Sequence, residues 1–81
     1  MSVRARIESV FAEVAREQQR RLPPLSDDLP LLESGLNSYS LALVVARLED
    51  ALGFDPFETV DTFPATFAEF VALYTHRQGG P

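Results

Sequence analysis

The stretch best equipped for chemistry is Gly35-Leu36-Asn37-Ser38-Tyr39. Asn37 is a preferred N-cap, so Ser38 falls in the first turn of a helix, just after a loop that carries a glycine. A hydroxyl placed there is exposed and can be presented to another protein's active site. Unpaired backbone N–H groups and the positive end of the helix dipole favour an anion at that point. Ser38 also reads as a plain capping serine, a common occupant of helix starts. Nothing in its neighbourhood activates the hydroxyl. The chain has no cysteine and a single histidine, His76, so neither a triad nor a base–nucleophile pair is legible beside Ser38.

The remaining polar candidates read as ordinary structure. Ser34 precedes the loop glycine and Ser40 lies two residues into the helix, positions that suit capping or solvent contact. His76, at the end of the last helix, complements its dipole. Asp27, Asp28 and Glu33 lie on a loop without a ligand cage and form a solvated face, so no metal site is expected.

The elements that must hold Ser38 in place are helical. Val3, Ile7, Val10, Phe11 and Val14 recur at helical spacing, which predicts an amphipathic helix over 2–21 ended by Pro23 and Pro24. Residues 22–37 form a long loop pinned to the core by Leu25, Leu29, Leu31, Leu32 and Leu36. From Asn37 a second helix carries Leu41, Val45, Leu48 and Leu52 on one stripe and stops at Gly53. Asp55, Pro56 and Glu58 suit the cap and first turn of a short third helix limited by Pro64. Thr66 and Glu69 form a capping box ahead of Phe67, Phe70, Val71 and Tyr74, on a last helix reaching about His76. Phe54, Phe57, Phe63, Phe67 and Phe70 read mainly as core and loop anchors. No strand alternation appears, so the fold class is all-α, a four-helix bundle over residues 1–78 with a frayed tail at 79–81.

The order helix, long loop, helix, short helix, helix, together with Gly35-Leu36-Asn37-Ser38-Tyr39 leading into the second helix, resembles the acyl and peptidyl carrier protein family over nearly the whole chain. The family's modified serine lies in a Gly-Leu-Asp-Ser-Leu type motif at this point. The resemblance implies that Ser38 accepts 4'-phosphopantetheine from coenzyme A and that acyl or aminoacyl groups ride on the arm's thiol as thioesters. Implied partners are a phosphopantetheinyl transferase and the loading, condensing or tailoring enzymes of a biosynthetic pathway. The protein is then a monomeric carrier without catalysis of its own. Asn37 stands where Asp is usual and Tyr39 where Leu is usual, departures that touch partner recognition more than the fold. The second helix lacks the early acids of fatty-acid carriers: Glu49 and Asp50 come only near its end. That points docking to Asn37, Tyr39, Ser40, Leu43 and Arg47, largely through apolar contact if Leu43 and Tyr39 are exposed, and favours specialised polyketide or nonribosomal-peptide biosynthesis; Leu43 reads equally as a residue that helps wrap a buried helix. The alternative is a carrier-like helical interaction module that bears no arm.

Composition agrees with this reading. The net charge of −5 is uneven: residues 1–21 hold five arginines against three glutamates, and the remainder is strongly acidic. An acidic body argues against nucleic acid as a partner. With no leader-like segment, no apolar run long enough for a bilayer and no cysteine, a free-standing chain in the cytoplasm is expected, with no membrane partner.

Overall fold

The computed structural model describes residues 2–59 and 62–79, with 58–59 and 77–79 described by backbone alone. Among the described residues three α-helices make up the bundle: α1 (Val3–Glu17), α2 (Ser38–Leu52) and α3 (Phe67–Gly79). Short 3₁₀ turns lie at Leu31–Glu33 and Pro56–Thr59. Among the described residues there is no strand, only a single antiparallel bridge between Pro30 and Thr66. The all-α class holds, and the expected short third helix is the 3₁₀ turn at Pro56–Thr59. Asp55 Oδ1 accepts the Phe57 N–H at 2.9 Å, which tightens the chain at once, and four residues suit a 3₁₀ turn better than an α-helix.

Ser2 Oγ caps α1 by accepting the Ala5 N–H at 3.1 Å. The helix ends at Glu17, short of the expected Arg21. Gln19 adopts a left-handed φ of 56°, Arg20 N–H donates to Ala15 O at 2.8 Å and Gln19 N–H to Arg16 O at 3.2 Å. These paired bonds form a Schellman closure. Beyond Ala15 the residues up to Arg21 are all polar, so no apolar side chain extends the buried stripe.

The long loop is anchored by some of its leucines. Leu31 and Leu36 are buried, and Leu22, Leu25 and Leu29 pack half-buried against the core. Leu32, expected as an anchor, is 88% exposed. Successive side chains of a 3₁₀ turn diverge by about 120°, so with Leu31 turned inward Leu32 turns out. Loop carbonyls also complete α3: Phe67 N–H donates to Leu29 O and Ala68 N–H to Asp27 O, both at 2.9 Å. These are first-turn donors that α3 cannot satisfy internally. Arg4 clamps the same region from α1. It donates to Asp27 Oδ1 at 2.6 Å, Glu8 Oε2 at 3.0 Å and Leu25 O at 3.2 Å, with its guanidinium 5.2 Å from the centre of the Phe67 ring.

The capping box of α3 forms with a one-residue offset. Thr66 Oγ1 accepts the Glu69 N–H at 3.2 Å, while Glu69 Oε1 accepts the N–H of Ala65, one residue before Thr66, at 2.8 Å. α3 continues past His76 to Gly79. Of the expected tail, Gly80 and Pro81 lie outside the described residues. In the core, Phe11 meets Phe67 and Phe70 edge-on, both at 5.4 Å between ring centres, a favoured aromatic geometry. Ile7, Val14, Val44, Leu48 and Tyr74 close around them, fully buried.

Candidate functional site at the start of α2

The N-terminus of α2 is built as the local sequence dictates. Asn37 takes an extended backbone, and its Oδ1 accepts the Ser40 N–H at 2.8 Å. Its carbonyl accepts the Leu41 N–H at 2.9 Å. The N–H groups of Ser38 and Tyr39 have no acceptor within the helix. The preceding turn is equally fixed: Ser34 Oγ donates to Leu31 O at 2.7 Å and accepts the Leu36 N–H at 3.3 Å. Gly35 sits at φ +90°, where a Cβ would come within 2.7 Å of the Arg21 carbonyl oxygen. Only glycine lets the chain pass Arg21 and enter α2 at this angle.

Three serine hydroxyls lie within this short stretch, and burial separates them. Ser34 and Ser40 are fully buried. Ser38 is exposed, on the first turn, beside two uncommitted N–H groups. That arrangement suits an anion esterified to Ser38 Oγ. The fit for a phosphodiester is in the donors and the exposure, and among the described residues no side chain hydrogen-bonds to the Ser38 hydroxyl.

The other expected docking residues divide. Asn37 and Tyr39 are exposed beside Ser38, Tyr39 at 66%, although the Asn37 carboxamide is committed to its cap. Leu43 is half-buried and packs against the core with part of its surface outward. Ser40 is corrected: it is fully buried and offers no surface to a partner. With Val44 and Leu48 it forms an i, i+4, i+8 row, which is the row that faces the core. Arg47 does not join Ser38 either. It faces α1, where Nη1 donates to Glu13 Oε1 at 2.6 Å and Nη2 to Glu17 Oε1 at 2.6 Å, and it lines an open cleft with Arg6 and Asp50. Hydrogen bonding from Arg47 lowers the Glu17 pKa below its ordinary value.

Two residues of the site were not anticipated. Ser38 borders an apolar cavity of about 240 Å³ whose other walls are Leu32, Leu41, Ala42, Val45 and Phe63. Ser38, Leu41, Ala42 and Val45 follow helical i, i+3, i+4, i+7 spacing, so this wall was legible in principle. Leu32 and Phe63 come from loops, and no periodicity announces them. Phe63, expected as an anchor, is 52% exposed and stacks on Phe57 at 5.5 Å between ring centres.

Among the described residues no group of three or more His, Cys, Asp or Glu side chains could hold a metal ion, and no helix is long and apolar enough to cross a membrane. A family model described as phosphopantetheine attachment site matches residues 5–62, a stretch that contains Ser38. Comparison with curated proteins and with solved structures gives no match.

Proposed function

The chain belongs to the phosphopantetheine attachment-site family, and from that premise we propose that Ser38 bears the arm and that the protein tethers acyl or aminoacyl intermediates in specialised biosynthesis of polyketide or nonribosomal-peptide type. The family carries covalently attached 4'-phosphopantetheine, and its domains are generally non-catalytic carriers that meet a phosphopantetheinyl transferase and biosynthetic enzymes. When attached, the group supplies a thiol on a long tether, where cargo is held as a thioester and reaches successive active sites at high effective concentration.

The observation that carries the assignment is that, of Ser34, Ser38 and Ser40, Ser38 alone is exposed. In the transfer, Ser38 Oγ forms a new bond to the phosphorus of the 4'-phosphopantetheine moiety as the bond to adenosine 3',5'-bisphosphate breaks. The hydroxyl proton leaves to a base on the transferase. The N–H groups of Ser38 and Tyr39 steady the resulting phosphodiester, and the Asn37 cap holds that first turn rigid. Placement in specialised biosynthesis is supported by the surface around Ser38, where Leu32, Tyr39 and Phe63 are exposed and Glu49 and Asp50 stand only at the far end of α2. Apolar docking fits that surface better than steering by acids.

Intact mass after incubation with coenzyme A and a promiscuous phosphopantetheinyl transferase tests the assignment. One added phosphopantetheine, absent in Ser38→Ala, is expected. An adduct that survives in folded Ser38→Ala, or no adduct with several transferases, refutes it.

A further inference from the structure

Charge is sorted unevenly where α1 ends. Arg16, Arg20 and Arg21 are exposed, and among the described residues none of them forms an ion pair. The carboxylates of α1 in this region, Glu13 and Glu17, are both taken by Arg47. Glu33, two residues before Gly35, pairs with none of the three arginines. On a chain of net charge −5, this corner is left cationic. Its backbone is fixed: the closure at Gln19, with φ 56°, turns the chain out of α1. The Arg21 carbonyl oxygen then lies where a Cβ on Gly35 would meet it at 2.7 Å.

The corner borders the attachment serine. Arg47 meets Glu13 and Glu17 while Gly35 meets Arg21, so α1 and α2 run antiparallel here and residues 18–21 flank the first turns of α2. Tyr39, Leu43 and Arg47 form an i, i+4, i+8 row. Because Arg47 faces α1, Tyr39 and Leu43 lie on the α1 side of Ser38, opposite the cavity wall of Leu41, Ala42 and Val45. Gly35 and Ser38 are at most about 11 Å apart along the chain. A partner surface of about 800 Å² centred on Ser38 reaches about 16 Å in every direction, and so covers Arg21 and Tyr39 as well.

We infer that Arg20 and Arg21, with Arg16 behind them, are a basic docking site for an acidic patch on the enzymes that come to Ser38. The inference rests on the assignment of Ser38 as the attachment residue. A neutral or cationic partner face would strip water from the guanidinium groups without replacing it, whereas carboxylates pair with them two bonds at a time. The guanidinium fork accepts phosphate equally well. Protein carboxylates are favoured because the arginines adjoin an apolar surface, Tyr39 at 66% exposure and the outward part of Leu43, which a protein face covers and a polyphosphate does not. The acidic remainder of the chain also repels an extended polyanion.

A short peptide of glutamates around a leucine pair, its lysine counterpart and inorganic pyrophosphate are the probes, followed by backbone amide shifts of the full chain. The glutamate peptide is expected to move the amides of residues 16–21, Tyr39 and Leu43, with affinity about tenfold weaker in the double variant Arg20→Gln, Arg21→Gln. The lysine peptide should leave those amides in place, and circular dichroism confirms the fold of the variant. Saturating glutamate peptide is also expected to slow phosphopantetheine transfer to wild type about fivefold and to leave transfer to the double variant unslowed, because it occupies the partner's footprint. Equal affinity for both proteins, or equal slowing of both with the adduct on Ser38 verified, overturns the docking site and leaves the attachment assignment standing. Pyrophosphate that moves the same amides as tightly as the peptide assigns the arginines to a phosphate-bearing ligand and overturns the acidic-patch partner. No adduct on Ser38 with several transferases overturns both readings.

Discussion

Arg47 of α2 closes on Glu17 of α1 through both of its terminal nitrogens, Nη1 to Oε2 at 2.8 Å and Nη2 to Oε1 at 2.6 Å, while Nη1 also holds Glu13 at 2.6 Å. One guanidinium thus ties two turns of α1 to α2 on the side of the bundle away from the Ser38 cavity.

The pair sits at the surface, so its contribution is small and salt-sensitive. Arg47→Ala is expected to lower Tm by no more than about 4 °C at low salt, with the difference shrinking as salt is added. Glu17 has a folded pKa below its ordinary value of 4.5, so its share of stability is fully present above that value and is lost as pH falls through the lower folded one. Thermal melts across the acid range should therefore show wild type and Arg47→Ala converging as pH drops. A gap that widens toward acid contradicts the pairing.

Asn37 caps α2 through Oδ1, and its loss leaves the Ser40 N–H unpaired. Asn37→Ala is expected to cost about 1 kcal/mol in urea unfolding, whereas Asn37→Asp, an equal cap, costs a few tenths or nothing. An Asn37→Ala protein as stable as wild type would show that the cap contributes nothing in solution.

Gly35 and Gly53 share nearly the same φ, +90° and +86°, but have different surroundings. A methyl group at Gly53 meets nothing within 4 Å, while at Gly35 it meets the Arg21 carbonyl oxygen at 2.7 Å. Gly53→Ala should cost about 1–2 kcal/mol from backbone conformation alone. Gly35→Ala should cost more, because the backbone segments must also part. Denaturant midpoints of the two variants measured side by side decide this, and equal losses would refute the close approach.

Tyr74 is fully buried against Phe54, Phe57 and Phe70, and its hydroxyl has no hydrogen-bond partner among the described residues. An unpaired buried hydroxyl costs about 1–3 kcal/mol, so Tyr74→Phe should leave stability unchanged or raise it. Burial, reinforced by Asp55 and Glu49, pushes the phenol well above its ordinary value of 10.0. The unfolded chain then loses this proton first, and wild-type stability falls as pH rises above 10. Tyr74→Phe should remove that part of the alkaline loss. Thermal melts across the alkaline range, with phenolate absorbance as the second readout, check both. A marked destabilisation by Tyr74→Phe at neutral pH would reveal a partner for the hydroxyl.

Much of the site was legible because capping is a local matter. Asn37, Gly53 and Thr66 each mark a helix end through bonds to residues three or four positions away, and all three stand where their residue types predict. Ser40 was misplaced for the opposite reason. A polar residue between Tyr39 and Leu41 reads as surface, and only the packing of α2 on α1 turns the 40, 44, 48 row inward. The early end of α1 at Glu17 is also local, yet it depends on a glutamine entering the left-handed region, which residue type does not favour.

By itself the sequence determined the three α-helices, the caps that open α2 and α3 and a serine at the head of α2, because helical period and capping act within a few residues along the chain; the fourth helix it suggested is a 3₁₀ turn. Which serine hydroxyl faces solvent, which of Leu31 and Leu32 is buried, and that Leu32 and Phe63 line one cavity with Ser38 were decided only in tertiary structure. Each of those outcomes depends on surfaces brought together from distant positions, and a helix or turn fixes the angles between its own side chains but not which of them its neighbours will cover.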